Sequence, residues 1–284
     1  MTGALVVVAT PIGNLGDLSP RAVSALASCD VVACEDTRRT RGLLTHAGIS
    51  GAGRLVSVHA HNEDARAAEL VERIAAGARV AYVTDAGTPT VSDPGARLVQ
   101  ACVAAGHPVE VVPGASAVLT ALVLSGFPAD RFVFEGFIPR SGTDRAERLA
   151  SIARDERTTI IYEAPHRIVR TLTDLSATCG GDRRVAVARE LTKMHEEVRR
   201  GTLAEVASHF AATEPLGEFV VVIDGAPPSA PVDEATITGA IDDALAAGMS
   251  VRDAADTVSS MLGVSRRIAY DVALARRGPN GAGK

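Results

Sequence analysis

The sequence predicts an α/β protein of two α/β domains with a small helical segment at its C-terminal end. Three observations carry that reading. Short β-branched apolar runs alternate with amphipathic helical segments through most of the chain, the pattern of strands joined by helices. The 284 residues exceed the usual size of one domain. The alternation is interrupted at Ser125-Gly126-Phe127-Pro128 and again by a proline-rich stretch over 225–232, breaks that divide the chain into residues 1–124, 125–225 and 226–284.

The elements follow in order. A continuous apolar run over 5–9 has the composition of a strand buried on both faces. It ends in T-P-I-G-N-L-G-D-L-S-P, where Ser19-Pro20 supplies the N-cap and first-turn proline of a helix over 21–28. Further strands are expected at 31–34, 80–84 and 109–112, with an amphipathic helix at 64–76, a helix at 96–105 and an apolar helix ending near Leu124. Strands alternating with helices imply a mainly parallel sheet. The second part reads as strands near 132–135, 158–162, 184–189 and 219–223, and helices near 145–155, 167–177 and 204–211. Residues 254–271, A-A-D-T-V-S-S-M-L-G-V-S-R-R-I-A-Y-D, have a helix-turn-helix outline. Such an outline suits packing on the body or a partner subunit as well as touching nucleic acid. Gly281-Ala282-Gly283-Lys284 reads as a frayed end.

Composition narrows the class. Hydrophobic residues make up 46% and charged residues 22%, enough apolar material for a globular core. No apolar stretch approaches a membrane span, and the first residues lack a basic region, so they read as a strand rather than an export signal. Cys29, Cys34, Cys102 and Cys179 show no C-x-x-C spacing and read as reduced thiols of a cytoplasmic protein. His59-Ala60-His61 would put two imidazoles on one strand face, but no further ligands accompany them, so no metal is expected. A net charge of −5 excludes a uniformly basic nucleic-acid binder. Arginine clusters at Arg38-Arg39-Thr40-Arg41, Arg183-Arg184, Arg199-Arg200, Arg266-Arg267 and Arg276-Arg277 still leave local phosphate sites open.

The chain carries no G-x-x-x-x-G-K-[ST], no G-x-G-x-x-G after the first strand and no G-x-S-x-G, which removes P-loop, dinucleotide and serine-hydrolase readings. What remains is three Gly/Pro loops after three strands, at 10–17, 85–95 and 113–117. Loops of that kind at the carboxyl ends of parallel strands are where α/β sheets bind ligands. Asp85, Asp93 and Ser116 give them more polar definition than a turn requires.

T-P-I-G-N-L-G-D, C-E-D-T-R, D-A-G-T-P-T-V-S-D-P-G, V-P-G-A-S-A, Y-E-A-P-H-R and R-E-L-T-K-M-H-E-E occur in this order. Together they resemble the bacterial 16S ribosomal RNA cytidine 2′-O-methyltransferases, a branch of the tetrapyrrole methylase superfamily, or class III methyltransferases. The resemblance runs over residues 5–223. It implies S-adenosylmethionine bound in the cleft between the two α/β domains, a homodimer, and a cytidine of 16S rRNA near the decoding centre, in the small ribosomal subunit, as acceptor. Carried onto this chain, the cofactor residues would be Pro11, Asp85, Ala86, Gly87, Thr88, Val91, Ser116 and Ala117, with Tyr162, Glu163 and Leu191 closing from the second domain.

A ribose hydroxyl attacks only if its proton is removed or its developing charge is stabilised. Lys193 is the first candidate for that role: it is the sole internal lysine of a chain that otherwise uses arginine, and burial can strip a lysine of its proton but not an arginine. Glu35, Asp36, Glu190 and His195 are rival bases. Arg38, Arg39, Arg140, His166 and Arg167 lie in or beside the motif loops and are the candidate RNA contacts. With only 3% aromatics a base-stacking platform is disfavoured. Two other functions stay open at this level: a methylase of a tetrapyrrole or other small molecule, and a non-enzymatic protein that senses a nucleotide in the cleft.

Overall fold

The computed structural model describes residues 3–59, 61–228 and 232–276. Chain contacts divide it into a unit over 1–227 and a unit over 228–284.

The first sheet of the larger unit grows from the apolar runs β1 (Ala4–Val8), β2 (Val31–Cys34), β3 (Leu55–Ser57), β4 (Arg79–Val83) and β5 (Val109–Val112). Their order is β3-β2-β4-β1-β5, and every neighbouring pair is parallel. The period of two in a strand sends Leu5 and Val7 to one face and Val6 and Val8 to the other. On the first face they join Leu70, Ile74, Tyr82 and Leu98 of α3 (Glu63–Ala75), β4 and α4 (Ala96–Ala104). On the second they join Leu26 of α1 (Pro20–Ser28), Leu44 of α2 (Thr37–His46) and Val83. Ser19 caps α1 by accepting from the amide of Ala22.

The second sheet contains β6 (Phe132–Phe137), β7 (Thr158–Glu163), β8 (Arg184–Arg189), β9 (Glu197–Thr202) and β10 (Phe219–Ile223), in the order β6-β7-β10-β8-β9. Only β6 and β7 run parallel; the other three pairs are antiparallel. The parallel expectation therefore holds for the first sheet and not for the second. A seven-residue loop turns β8 back into β9, and β10 inserts in reverse between β7 and β8. Helices α6 (Gly142–Arg154), α7 (Ile168–Cys179) and α8 (Leu203–Ala211) cover one face. The other face receives α5 (Ala117–Ser125), whose Val118, Ala121 and Leu122 pack with Ile12 from the loop after β1 and with Ile160, Ala186 and Val222 of the second sheet. Thus α5 fastens the two sheets together.

Three strands or α-helices of the larger unit, and the helix over Glu234–Ala246 of the smaller one, were absent from the sequence reading. T-R-R-T-R-G-L-L-T-H makes α2, a mostly polar helix started by the Asp36 side chain, which accepts from Arg38 N. β3 is three residues long, and β9 is a polar edge strand, E-V-R-R-G-T; neither shows an apolar run.

The smaller unit is a three-helix cluster of α9 (Glu234–Ala246), α10 (Val251–Leu262) and α11 (Arg266–Arg276) around Ile237, Ile241, Ala254, Val258, Ala269 and Ala273. Gly263, with φ 65°, ends α10 and makes the turn into α11. Arg266 pairs with Asp256 and Arg276 with Asp242. Residues 229–231 of the proline-rich stretch and Gly281–Lys284 lie outside the described residues.

Candidate active site

The carboxyl ends of β1, β4 and β5 fall at one edge of the parallel sheet, so their three Gly/Pro loops converge. Thr10 and Gly87 exchange two backbone hydrogen bonds, N to O 2.9 and 3.1 Å. The Thr10 hydroxyl donates to Thr84 O at 3.2 Å, and the Thr88 hydroxyl to Ala115 O at 3.4 Å. The loops thereby form one wall. Gly95, at φ 115°, lets the loop after β4 cross the buried ring of Tyr82; an added Cβ would lie 2.8 Å from Tyr82 Cζ.

The facing wall comes from the second sheet: the end of β7, the loop between β8 and β9, and the start of β10. Between the walls lies a cleft of about 320 Å³. Nine of the eleven expected cofactor residues border it: Ala86, Gly87, Thr88 and Val91, then Ser116 and Ala117, then Tyr162, Glu163 and Leu191. Ser116 caps α5, so the positive end of that helix opens into the cleft. Tyr162 is held edge-on by Phe134 and Phe137, ring centroids 5.0 and 5.7 Å away. Burial, then the nearby Asp93, pushes its hydroxyl up to about 12.

Among the described residues no lysine, arginine or histidine borders this cleft, whereas Asp93, Glu163 and Glu218 do. Glu163 is neutralised from behind: it accepts from Ala164 N at 2.9 Å and from the Thr171 hydroxyl at 2.7 Å, and pairs with Arg167 at 3.2 Å. Asp93 has no ion pair among the described residues. Burial, followed by the charges of Glu35 and Asp85, raises its carboxyl to about 6. A mostly apolar cleft with an uncompensated carboxylate and a helix N-terminus fits S-adenosylmethionine: the sulfonium suits the acid and the carboxylate suits the helix end.

A second cleft of about 360 Å³ adjoins the first; it is bordered by Pro11, Gly13, Arg39, Asp85 and Lys193, among others. Pro11 and Asp85, the remaining two expected cofactor residues, lie here. Lys193 Nζ sits 2.9 Å from Glu190 Oε1 and 2.9 Å from Glu218 Oε2. Burial alone would lower the ammonium pKa, but the hydrogen bonds to Glu218 and Glu190 outweigh it and raise it. The structure therefore keeps Lys193 charged; burial does not strip its proton. Gly13 makes room for this arrangement: a Cβ there would meet Lys193 Cγ at 2.5 Å and Thr192 Oγ1 at 2.8 Å.

The other expected residues separate. Asp85 pairs with Arg39 at 3.4 Å and accepts from Asp36 N at 3.2 Å. Glu35 and Asp36 border neither cleft; burial and then Asp85 raise the Glu35 carboxyl, while the Arg38 hydrogen bonds lower that of Asp36. Arg38, Arg140, His166 and His195 are exposed. Arg167 points inward, donating to Ile138 O at 2.6 Å besides pairing with Glu163. Sequence reasoning missed Glu218, Ile12 and Phe137. The one signal for Glu218 was a carboxylate set immediately before the buried run F-V-V-V-I.

Comparison with known proteins bears on this arrangement. The profile of the tetrapyrrole (corrin/porphyrin) methylases matches residues 4–207. A Synechocystis protein named ribosomal RNA small subunit methyltransferase I is 44% identical over 274 residues, 96% of this chain and 98% of the relative. A Mycobacterium bovis protein of the same name is 46% identical over 281 residues, 99% of this chain and 98% of its own. Among solved structures, uroporphyrin-III-C-methyltransferase from Thermus thermophilus superposes with a TM-score of 0.55 at 22% identity, over 78% of this chain and 94% of its own. A cobalt precorrin-4 methyltransferase superposes with a TM-score of 0.60 at 16% identity, over 78% of this chain and 94% of its own.

Proposed function

The chain belongs to the tetrapyrrole methylase family, in the branch of relatives named ribosomal RNA small subunit methyltransferase I, and on that premise we propose that it methylates the ribose 2′-oxygen of a cytidine of 16S rRNA near the decoding centre. Its methyl donor is S-adenosylmethionine, which supplies an electrophilic methyl group when bound.

The observation that carries the reading is the pair of adjoining clefts of opposite character. The first is apolar and acidic, with no basic side chain among the described residues that border it. The second opens beside Arg39 and Lys193, cations suited to a ribose-phosphate segment. In this reading Ser116 and Ala117 hold the donor's carboxylate end, and Tyr162 and Leu191 pack on its adenosyl part. Asp85, Ala86, Gly87, Thr88, Val91 and Pro11 hold the wall that separates donor from acceptor. Such fixed placement is the main requirement of a simple displacement. Lys193, kept charged, stabilises the negative charge that develops on the attacking oxygen. Glu35 and Asp36 act at a distance, by ordering Asp85, Arg38 and Arg39. Arg38, Arg39, Arg140 and His166 receive the RNA, and Arg167 braces the site through Glu163. The working form is a homodimer, for which the exposed Val111, Leu119 and Val123 of β5 and α5 supply apolar surface.

The test is transfer of labelled methyl to small ribosomal subunits that lack the modification, followed by mass analysis of the nucleosides. Label in 2′-O-methylcytidine is the expected result. Label on a base, or transfer to porphyrinogens but not to the subunit, would overturn the reading.

A further inference from the structure

Among the described residues, three border both clefts: Ile12, Ala86 and Glu218. A methyl group passing from donor to acceptor crosses this shared wall, and Glu218 is its one titratable member. We propose that Glu218 is the general base that takes the proton from the hydroxyl receiving the methyl group, an assignment that rests on the methyltransferase reading above.

The geometry separates Glu218 from its neighbours Asp85 and Glu190, and Asp93 borders the donor cleft alone. The Glu218 side chain borders both clefts and is 74% exposed, and its ion-pair partner is the Lys193 ammonium, at 2.9 Å from Oε2. An ionised carboxylate offers about four acceptor positions, and among the described residues Lys193 is the one donor to the Glu218 side chain. Its backbone is fixed, because Glu218 N donates to Glu190 Oε1 at 3.0 Å and the next residue begins β10. Asp85 is engaged on both oxygens, by Asp36 N and by Arg39. Glu190 gives one oxygen to both Lys193 and Glu218 N. Lys193 carries its proton already.

In the step, the hydroxyl O–H bond breaks and its proton passes to a Glu218 carboxylate oxygen. The electron pair left on the hydroxyl oxygen forms the new oxygen–carbon bond. The methyl carbon–sulfur bond breaks, and its pair stays on sulfur. One sulfonium and one carboxylate become a neutral thioether and a neutral carboxylic acid. The opposite charges that approach across the wall cancel as the reaction proceeds. The exposed acid afterwards returns its proton to water.

The experiment compares the full-length parent with Glu218→Gln and Glu218→Asp. It measures single-turnover methyl transfer to unmodified small subunits, the KM for subunits, and the S-adenosylmethionine Kd by calorimetry. The expected result for Glu218→Gln is a rate lowered about 10²- to 10⁴-fold, the usual contribution of a positioned base, with KM and Kd within about threefold of the parent, the margin below which most of a tenfold, 1.4 kcal/mol, effect is absent. Glu218→Asp recovers at least about tenfold of that loss, because it keeps a carboxylate on a shorter stem. A Glu218→Gln rate within about threefold of the parent sinks the assignment and leaves the methyltransferase reading intact. So does a rise in Kd that accounts for the whole loss, since Glu218 then binds rather than reacts. A parent that binds the donor but modifies no subunit removes the proposed acceptor and this base with it.

Discussion

Asp93 gives a prediction in which stability and binding move in opposite directions. Its carboxyl rises from 3.8 to about 6 through burial and then through Glu35 and Asp85. The folded chain therefore holds this proton more tightly than the unfolded chain. The associated stability is present in full below the ordinary value of 3.8 and is lost as pH climbs through about 6. Two pH units correspond to about 3 kcal/mol. Water reaches this half-buried group and screens part of that, leaving about 1–2 kcal/mol. Asp93→Asn removes the charge and keeps the shape. Its melting temperature is expected to match the parent's near pH 4 and to exceed it by about 3–6 °C at pH 8, given the size of the unit. The same substitution deprives a donor sulfonium of its uncompensated carboxylate, so S-adenosylmethionine affinity at pH 8 is expected to fall about tenfold. Thermal melts from pH 4 to 8 and calorimetric titration read the two effects. A melting difference that stays flat with pH, or a variant less stable than the parent at pH 8, would refute the electrostatic account of Asp93.

Gly13→Val places side-chain atoms where Lys193 Cγ and Thr192 Oγ1 now sit. Methyl transfer is expected to drop at least about tenfold with little change in donor affinity, because the near-attack geometry is lost on the acceptor side only; an unchanged rate would show that Lys193 needs no such seat. Arg145 is buried and ties Asp174 Oδ2, the Thr171 hydroxyl and Pro139 O together. Arg145→Ala should cost about 3 kcal/mol in urea unfolding by leaving those acceptors without their donor, and a loss under about 0.5 kcal/mol would contradict it. Val123 is 78% exposed on α5. Val123→Glu together with Leu119→Glu is expected to shift the chain from dimer to monomer in sedimentation velocity, and a persistent dimer would place the interface elsewhere.

Strands β1, β2 and β4 of the first sheet were legible because they are buried on both faces, and α1, α3 and α4 because each shows a clear apolar stripe. Ser19 before Pro20 and Gly263 after Leu262 marked their helix boundaries as capping chemistry requires. The loops at 10–17, 85–95 and 113–117 stood out by composition, since ligand-approaching backbone uses Gly and Pro. The facing wall was less legible for a topological reason. Glu218 reaches the clefts because β10 runs antiparallel between β7 and β8, pairing Phe219 with both Glu163 and Arg189. Residues separated by 56 and 30 positions meet only through that register, and local sequence carries no trace of it. For the same reason sequence gave Lys193 a lone-lysine argument but not its two carboxylate neighbours, which reverse the direction that burial alone would give.

Backbone strain locates the working parts independently of side-chain chemistry. Four non-glycine residues among those described have positive φ: Thr90 at 75° and Ser92 at 64° in the loop after β4, and Glu190 at 50° and Thr192 at 64° in the loop between β8 and β9. Each such residue costs of order 1–3 kcal/mol. They occur as one pair on each wall, and none lies in the smaller unit. The strain is held by the contacts that shape the clefts. Glu190 is fixed by Glu218 N and Lys193, Thr192 N by Glu196, and the loop after β4 by the Tyr82 ring beneath Gly95. Relaxing either loop toward unstrained dihedrals would move Lys193 or Asp93 away from the shared wall. Two parallel choices against local preference, one on each wall of the clefts, are what the proposed function requires of a site that holds a cationic donor and a hydroxyl acceptor on either side of Glu218.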